Sequence, residues 1–170
     1  MDKIEQLYRR RAVRWANRQG VPIRWRKWWR DVRNENGLLH LQGCETIQIV
    51  HEVHHWMVAT ARARRIPNYG LGGSTDSDSK LLVSMRAANL EELAVTVLDV
   101  SVLLSIQFPL GRVWSWWAEV ATNDRSLRNP LEKACNRLRS RRLRVDPEAV
   151  DFIRKGTAEP LFSLKAVKQP

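Results

Sequence analysis

Apolar positions between residues 3 and 18 recur at helical spacing, with Ile4, Leu7, Tyr8, Val13 and Trp15 forming a stripe among arginines. Gly20 and Pro22 predict where that helix ends. Residues 24–30 set Trp25, Trp28 and Trp29 at i, i+3 and i+4, which predicts one apolar face of a second helix. Leu38–Leu41, a short apolar run between Gly37 and Gly43, reads as a strand. From Cys44 to Ala59 apolar residues fall on all sides, as in a helix buried at the centre of a domain. A turn-rich loop over residues 66–74 and a polar stretch over 75–79 lead to a second expected strand, Leu81–Met85, within residues 80–86. The pattern then predicts a helix from Asn89 to about Gln107, stopped by Pro109 and Gly111, and helices at 112–121 and 130–142. A last helix at 146–155 is opened by Asp146-Pro147-Glu148 and closed by Gly156, and Phe162–Val167 is a third candidate strand. The expected fold class is α+β, mostly helical: a small sheet packed on the central helix in a zincin-like arrangement, with Arg-rich helices outside.

Composition narrows this picture. With 170 residues and 44% hydrophobic positions the chain can bury one core, so one domain over 1–170 is expected and a disordered or fibrous chain is excluded. The net charge of +11 is uneven. Residues 1–33 carry 11 Lys/Arg against 3 acids and residues 125–144 carry 8 against one, while residues 34–124 are mildly acidic. Two basic helical flanks therefore border a core at 34–124, and such flanks draw polyanions or acidic proteins. A solvated Arg-rich face is the plainer account of the same charges. The most apolar stretch, residues 93–108, is interrupted by Thr96, Asp99, Ser101, Ser105 and Gln107, so no membrane span is expected. No basic-then-apolar leader is visible at Met1–Glu5, and Cys44 and Cys135 lack CxxC partners. Reduced thiols in a cytoplasmic protein are the expectation.

The chemistry concentrates in the central helix. His51-Glu52-Val53-His54-His55 fits H-E-x-x-H, and three of the chain's 4 histidines lie in this pentapeptide. Imidazoles four residues apart on a helix are neighbours, so His51 and His55 can grip one divalent ion. Glu52 lies about 100° round the helix, where it can exchange a proton with a group at that ion. Core histidines without a metal are the alternative, but a buried helix would then have to satisfy three His and a Glu unaided. His54 reads as a residue supporting the ligands rather than one of them, and Cys44, two turns before His51, reads as packing.

A third ligand is needed. Glu91 and Glu92 share that role equally on spacing alone, with Asp76, Asp78 and Asp99 behind them. Each has a structural explanation: Asn89 and Glu92 stand at capping-box spacing, and Glu91 would be a first-turn acid favoured by the helix dipole.

His51-Glu52-x-x-His55-Trp56, then Val58-Ala59, Ala63-Arg64-Arg65 and Asn68-Tyr69-Gly70, resembles the bacterial elongation factor P hydroxylase family over roughly residues 45–105. That family carries a metal-binding Glu seven residues before an Asp on a later helix. Glu92 stands seven before Asp99, so the resemblance implies Glu92 as the third ligand. It further implies a non-haem-iron-type centre that hydroxylates a modified lysine on a translation factor, in a protein of bacterial or bacteriophage origin. Fe(II) is then the favoured ion and Zn(II) the alternative.

Three functions follow. The first is an oxygenase with His51, His55 and Glu92 as ligands, Glu52 moving a proton, and Arg64, Arg65 and Tyr69 shaping the substrate entrance. The second is a zinc metallopeptidase in which Glu52 is general base. The third is a basic protein that binds nucleic acid or the ribosome, its metal site structural or lost.

Overall fold

A computed structural model of the chain describes residues 3–25, 33–35, 37–41, 44–66, 69, 84–113 and 128–158. These form helices α1 (Lys3–Arg18), α2 (Thr46–Val58), α3 (Met85–Ser105), α4 (Arg128–Ser140) and α5 (Pro147–Ala158), with strands β1 (Ile23–Trp25), β2 (Arg33–Glu35) and β3 (Leu38–Leu41). The fold is mostly helical with a small sheet. One apolar cluster draws residues from every helix, from Ala12 on α1 to Ile153 on α5. Among the described residues no helix is long and apolar enough to cross a membrane.

α1 forms where its spacing predicts, and part of the expected stripe meets the core. Ala12 and Ala16 are fully buried at the centre of the contact, Tyr8, Val13 and Trp15 of the stripe pack beside them, and Ile4 and Leu7 are exposed. Small alanines let α1 lie close against α2, which a stripe of larger residues would not. Gly20, at φ +69, takes the left-handed position that ends the helix at little cost.

At Arg24 and Trp25, the described residues of the tryptophan-rich segment, the structure departs from the predicted helix. Ile23–Trp25 is a strand, parallel to β3 with Ile23 opposite Leu39 and Trp25 opposite Leu41. The ladder starts at Pro22, whose carbonyl accepts from the Leu39 N–H at 2.9 Å. Pairing with a distant strand overrides the local helical spacing. Trp28 and Trp29 lie outside the described residues. β3 is the middle strand, antiparallel to β2 on its other side, and buries Leu39, His40 and Leu41.

α3 is the most buried helix, covered from Leu93 to Val100 without a break because α2, α4 and α5 all pack on it. It begins four residues before the predicted Asn89. Ser84 is its N-cap, accepting from the Ala87 N–H, so Met85 opens a helix instead of closing the strand expected at 81–85. Asn89 and Glu92 are therefore interior residues, and their capping-box spacing has no cap to make. α5 begins as read, with Asp146 accepting from the Glu148 N–H at 3.0 Å and from Ser101 Oγ at 3.1 Å. The strands expected at 81–83 and 162–167, and residues 114–121 of the helix expected at 112–121, fall outside the described residues.

Part of the N-terminal basic segment is internal structure. Arg9 Nε donates to the Cys44 carbonyl and Arg11 Nη1 to that of Ile106. Glu5 is buried at the start of α2, where one carboxylate oxygen accepts from both the Thr46 N–H and hydroxyl at 2.6 Å. Its other oxygen faces Arg112 Nη1 at 3.3 Å. Glu5→Ala would strand those donors, and urea unfolding is expected to register a loss of about 2 to 3 kcal/mol.

Candidate metal centre

The site lies where α2 crosses α3. α2 is positioned from both ends: Glu5 holds its first turn, and Arg64 holds its last, donating from Nε to the Trp56 carbonyl at 2.9 Å. The Arg64 guanidinium also lies over the Trp56 ring, 3.7 Å from its centre, while the indole N–H donates to the Gly37 carbonyl. These contacts fix the rotation of α2 and so the direction in which its histidines point.

His51 and His55 meet as their spacing requires, with their Nε2 atoms 3.1 Å apart. Glu92 of α3 brings Oε2 to 3.3 Å from His55 Nε2 and 3.6 Å from His51 Nε2. This group could hold a metal ion. The triangle tests the fit: a point about 1.9 Å from all three atoms exists, close to the ~2.0–2.2 Å bonds of His and carboxylate to a divalent ion. The Glu92 side chain is 43% exposed, which leaves that side of the triangle open to solvent.

Behind the triangle, Asp99 is fully buried. Its Oδ2 accepts from His51 Nδ1–H at 2.7 Å and its Oδ1 from His54 Nδ1–H at 2.6 Å. Burial would raise the Asp99 carboxyl, but the charges and hydrogen bonds of His51 and His54 hold it below the usual range. An ionised Asp99 fixes the His51 ring with Nε2 toward the triangle, the arrangement that orients a metal-binding imidazole and makes it more basic. His54 thus supports Asp99 from the far side, its own ring against the edge of Trp15.

Charge at the site is tightly coupled. Burial pulls His51 down, but Asp99, with help from Glu92 and Glu52, outweighs it and lifts the imidazole to about 9. Desolvation would raise Glu92, yet His55 and then His51 hold it below the usual carboxylate range. Glu52 is partly buried beside His51, close enough for its charge to act on both His51 and Tyr69. Tyr69 stacks on the His55 ring at 5.7 Å, and burial pushes its phenol well up.

The remaining expectations divide. Glu91 points away from the triangle, onto Arg137 and Arg141. Arg64 serves α2 as described, and Arg65 is exposed in the short turn Ala63–Arg65. Cys44 is buried in the apolar cluster, as read. Asp76, Asp78, Asn68 and Gly70 lie outside the described residues. Spacing put Asp99 among the candidate ligands, and its support of His51 was missed. The signal was present: a lone acid in the apolar run 93–100 of a buried helix must find donors, and the histidines were the nearest ones to offer.

No protein-family model, no curated protein and no solved structure matches this chain.

Proposed function

We propose that this protein is a metal-dependent oxygenase of the cytoplasm that hydroxylates a side chain of another protein. The carrying observation is the convergence of His51 Nε2, His55 Nε2 and Glu92 Oε2. Two histidines and one carboxylate on one side of an ion are the donor set of non-haem Fe(II) oxygenases, and the resemblance to elongation factor P hydroxylases favours the same metal. Bound Fe(II) would supply the redox chemistry that lets O2 attack a C–H bond. One oxygen atom enters the substrate and the other leaves as water, with two electrons and two protons from an external donor.

The chain's own residues have separate tasks. Asp99 holds His51 in its ligating orientation, Glu52 exchanges protons at the open side, and the Tyr69 ring walls off His55. Exposed Arg10, Arg14 and Arg18 along α1 suit an acidic protein partner such as a translation factor, and nucleic acid or the ribosome would answer the same charge.

A zinc metallopeptidase remains the second reading, favoured by Glu52, whose position beside His51 in H-E-x-x-H is that of a zincin general base. Anaerobic reconstitution with Fe(II), followed by O2 uptake, separates the two. We expect one iron per chain and O2 consumption above that of free Fe(II) when an acidic lysine-bearing translation factor is added. No such excess, together with chelator-sensitive peptide cleavage by the zinc-loaded protein, would hand the site to the peptidase.

A further inference from the structure

The face of α1 that turns away from α2 carries a row of cations. Ala12 and Ala16 are buried on the α2 side, while Arg10, Arg14, Asn17 and Arg18 are exposed. Arg10, Arg14 and Arg18 stand four residues apart, so they leave the helix in line, about 6 Å from one to the next along its axis. Glu5 is the one acid in residues 3–25, and it is buried at the start of α2. Among the described residues no carboxylate pairs with the three arginines. Like charges at i, i+4 destabilise a helix, and the pairs Arg10–Arg14 and Arg14–Arg18 have no acid of α1 to offset them. The helix dipole favours a cation in the last turn, where Arg18 sits, and so leaves Arg10 and Arg14 unexplained.

The row ends at an aromatic ring. Trp25, the last residue of the edge strand β1, is 37% exposed, and its indole N–H donates to Asn17 Oδ1 at 3.3 Å. Asn17 lies on the same face of α1 as the row, three residues beyond Arg14 and next to Arg18. The hydrogen bond therefore pins the ring at the end of the cations. Charge alone would suit an acidic protein as well as nucleic acid, and the ring separates the two. A single strand offers a phosphate and an unpaired base in every nucleotide, which answers a guanidinium row ending in an aromatic face. An acidic polypeptide answers only the row.

We propose that α1 and Trp25 form a binding surface for single-stranded nucleic acid, with backbone phosphates on Arg10, Arg14 and Arg18 and a base stacked on the Trp25 ring. The surface lies on the side of α1 away from the helix that carries His51 and His55, so it stands or falls independently of the metal centre. Fluorescence anisotropy of the full chain with a labelled oligouridine RNA and an oligothymidine DNA of equal length, at rising salt, tests it. Saturable binding is expected, its log affinity falling against log salt with a slope of about −2, the value for three phosphates on a single strand. Joint replacement Arg10→Gln, Arg14→Gln and Arg18→Gln should weaken binding at least about tenfold and flatten the slope. Arg14→Gln alone should lower the slope by about 0.7, which keeps the test informative if the triple variant does not fold. Trp25→Ala should weaken binding at least about fivefold with the slope unchanged, and Trp25→Phe, which keeps a flat ring, should recover part of the loss. Lys155→Gln removes an exposed cation of α5 and should change little. Tighter binding of RNA than of DNA would add a contact to the 2′-hydroxyl, and equal binding would assign backbone and base alone. No binding of either strand, full binding by the triple variant, or an oligoglutamate that competes as well as the RNA whether or not Trp25 is present, overturns the proposal.

Discussion

Glu92→Ala is expected to strip the metal from a protein that still folds, while Glu91→Ala does the reverse. The two residues are neighbours in sequence, yet α3 turns about 100° between them and sends them to different partners. Glu92 offers one of the three atoms that could hold the ion, and its side chain is 43% exposed. Its removal should weaken metal binding by at least about a hundredfold, since even residues that merely orient a ligand are worth 10- to 100-fold. It should change stability little. Glu91 is buried against two guanidiniums, so its removal leaves them uncompensated at a cost of about 2 to 3 kcal/mol, moderated because solvent still reaches both arginines. Metal stoichiometry after gel filtration, and urea unfolding of metal-free protein, read the two effects separately. Equal metal loss in both variants would remove Glu92 from the ligand set.

That contrast also shows which kind of information the sequence held. The ends of α1 and the start of α5 were legible because local chemistry decides them: Gly20 in the left-handed region, and Asp146 and Pro147 at the cap and first position. The pairing of His51 with His55 was legible because a helix fixes it. What local rules did not decide was settled by distant partners. Trp25 entered a strand because β3 was there to pair with, and α3 began at Met85 because Ser84 capped it before Asn89 could. On α1 the buried face went to Ala12 and Ala16, since close approach to α2 was worth more than the larger apolar surfaces of Ile4 and Leu7. The choice between Glu91 and Glu92 belongs to this second kind. It depends on how α3 is rotated between α2 and α4, which spacing within α3 does not contain.

Rotation of α3 also sets the pH behaviour, because it brings Asp99 under His51. In the metal-free protein His51 titrates near 9 against an ordinary 6.5. A histidine raised on folding stabilises fully below its unfolded value, and that contribution is lost as pH climbs toward 9. The metal-free fold should thus weaken from pH 6.5 to 9. Metal binding should strengthen over the same range, by about tenfold per pH unit from 7 to 9, because the ion must displace the His51 proton. Asp99→Asn changes both sides of this competition. An amide can accept from only one of the two Nδ1–H groups, so intrinsic metal affinity should fall by about 10- to 100-fold. The same substitution removes the charge that lifts His51, so the proton penalty at pH 7 largely disappears. Wild type and variant should then bind metal within about tenfold of each other at pH 7 and diverge by the full amount at pH 9. Competition with a chelating dye at both pH values measures this. A gap of the same size at pH 7 and pH 9 would mean that Asp99 only holds the helices in place and does not tune His51.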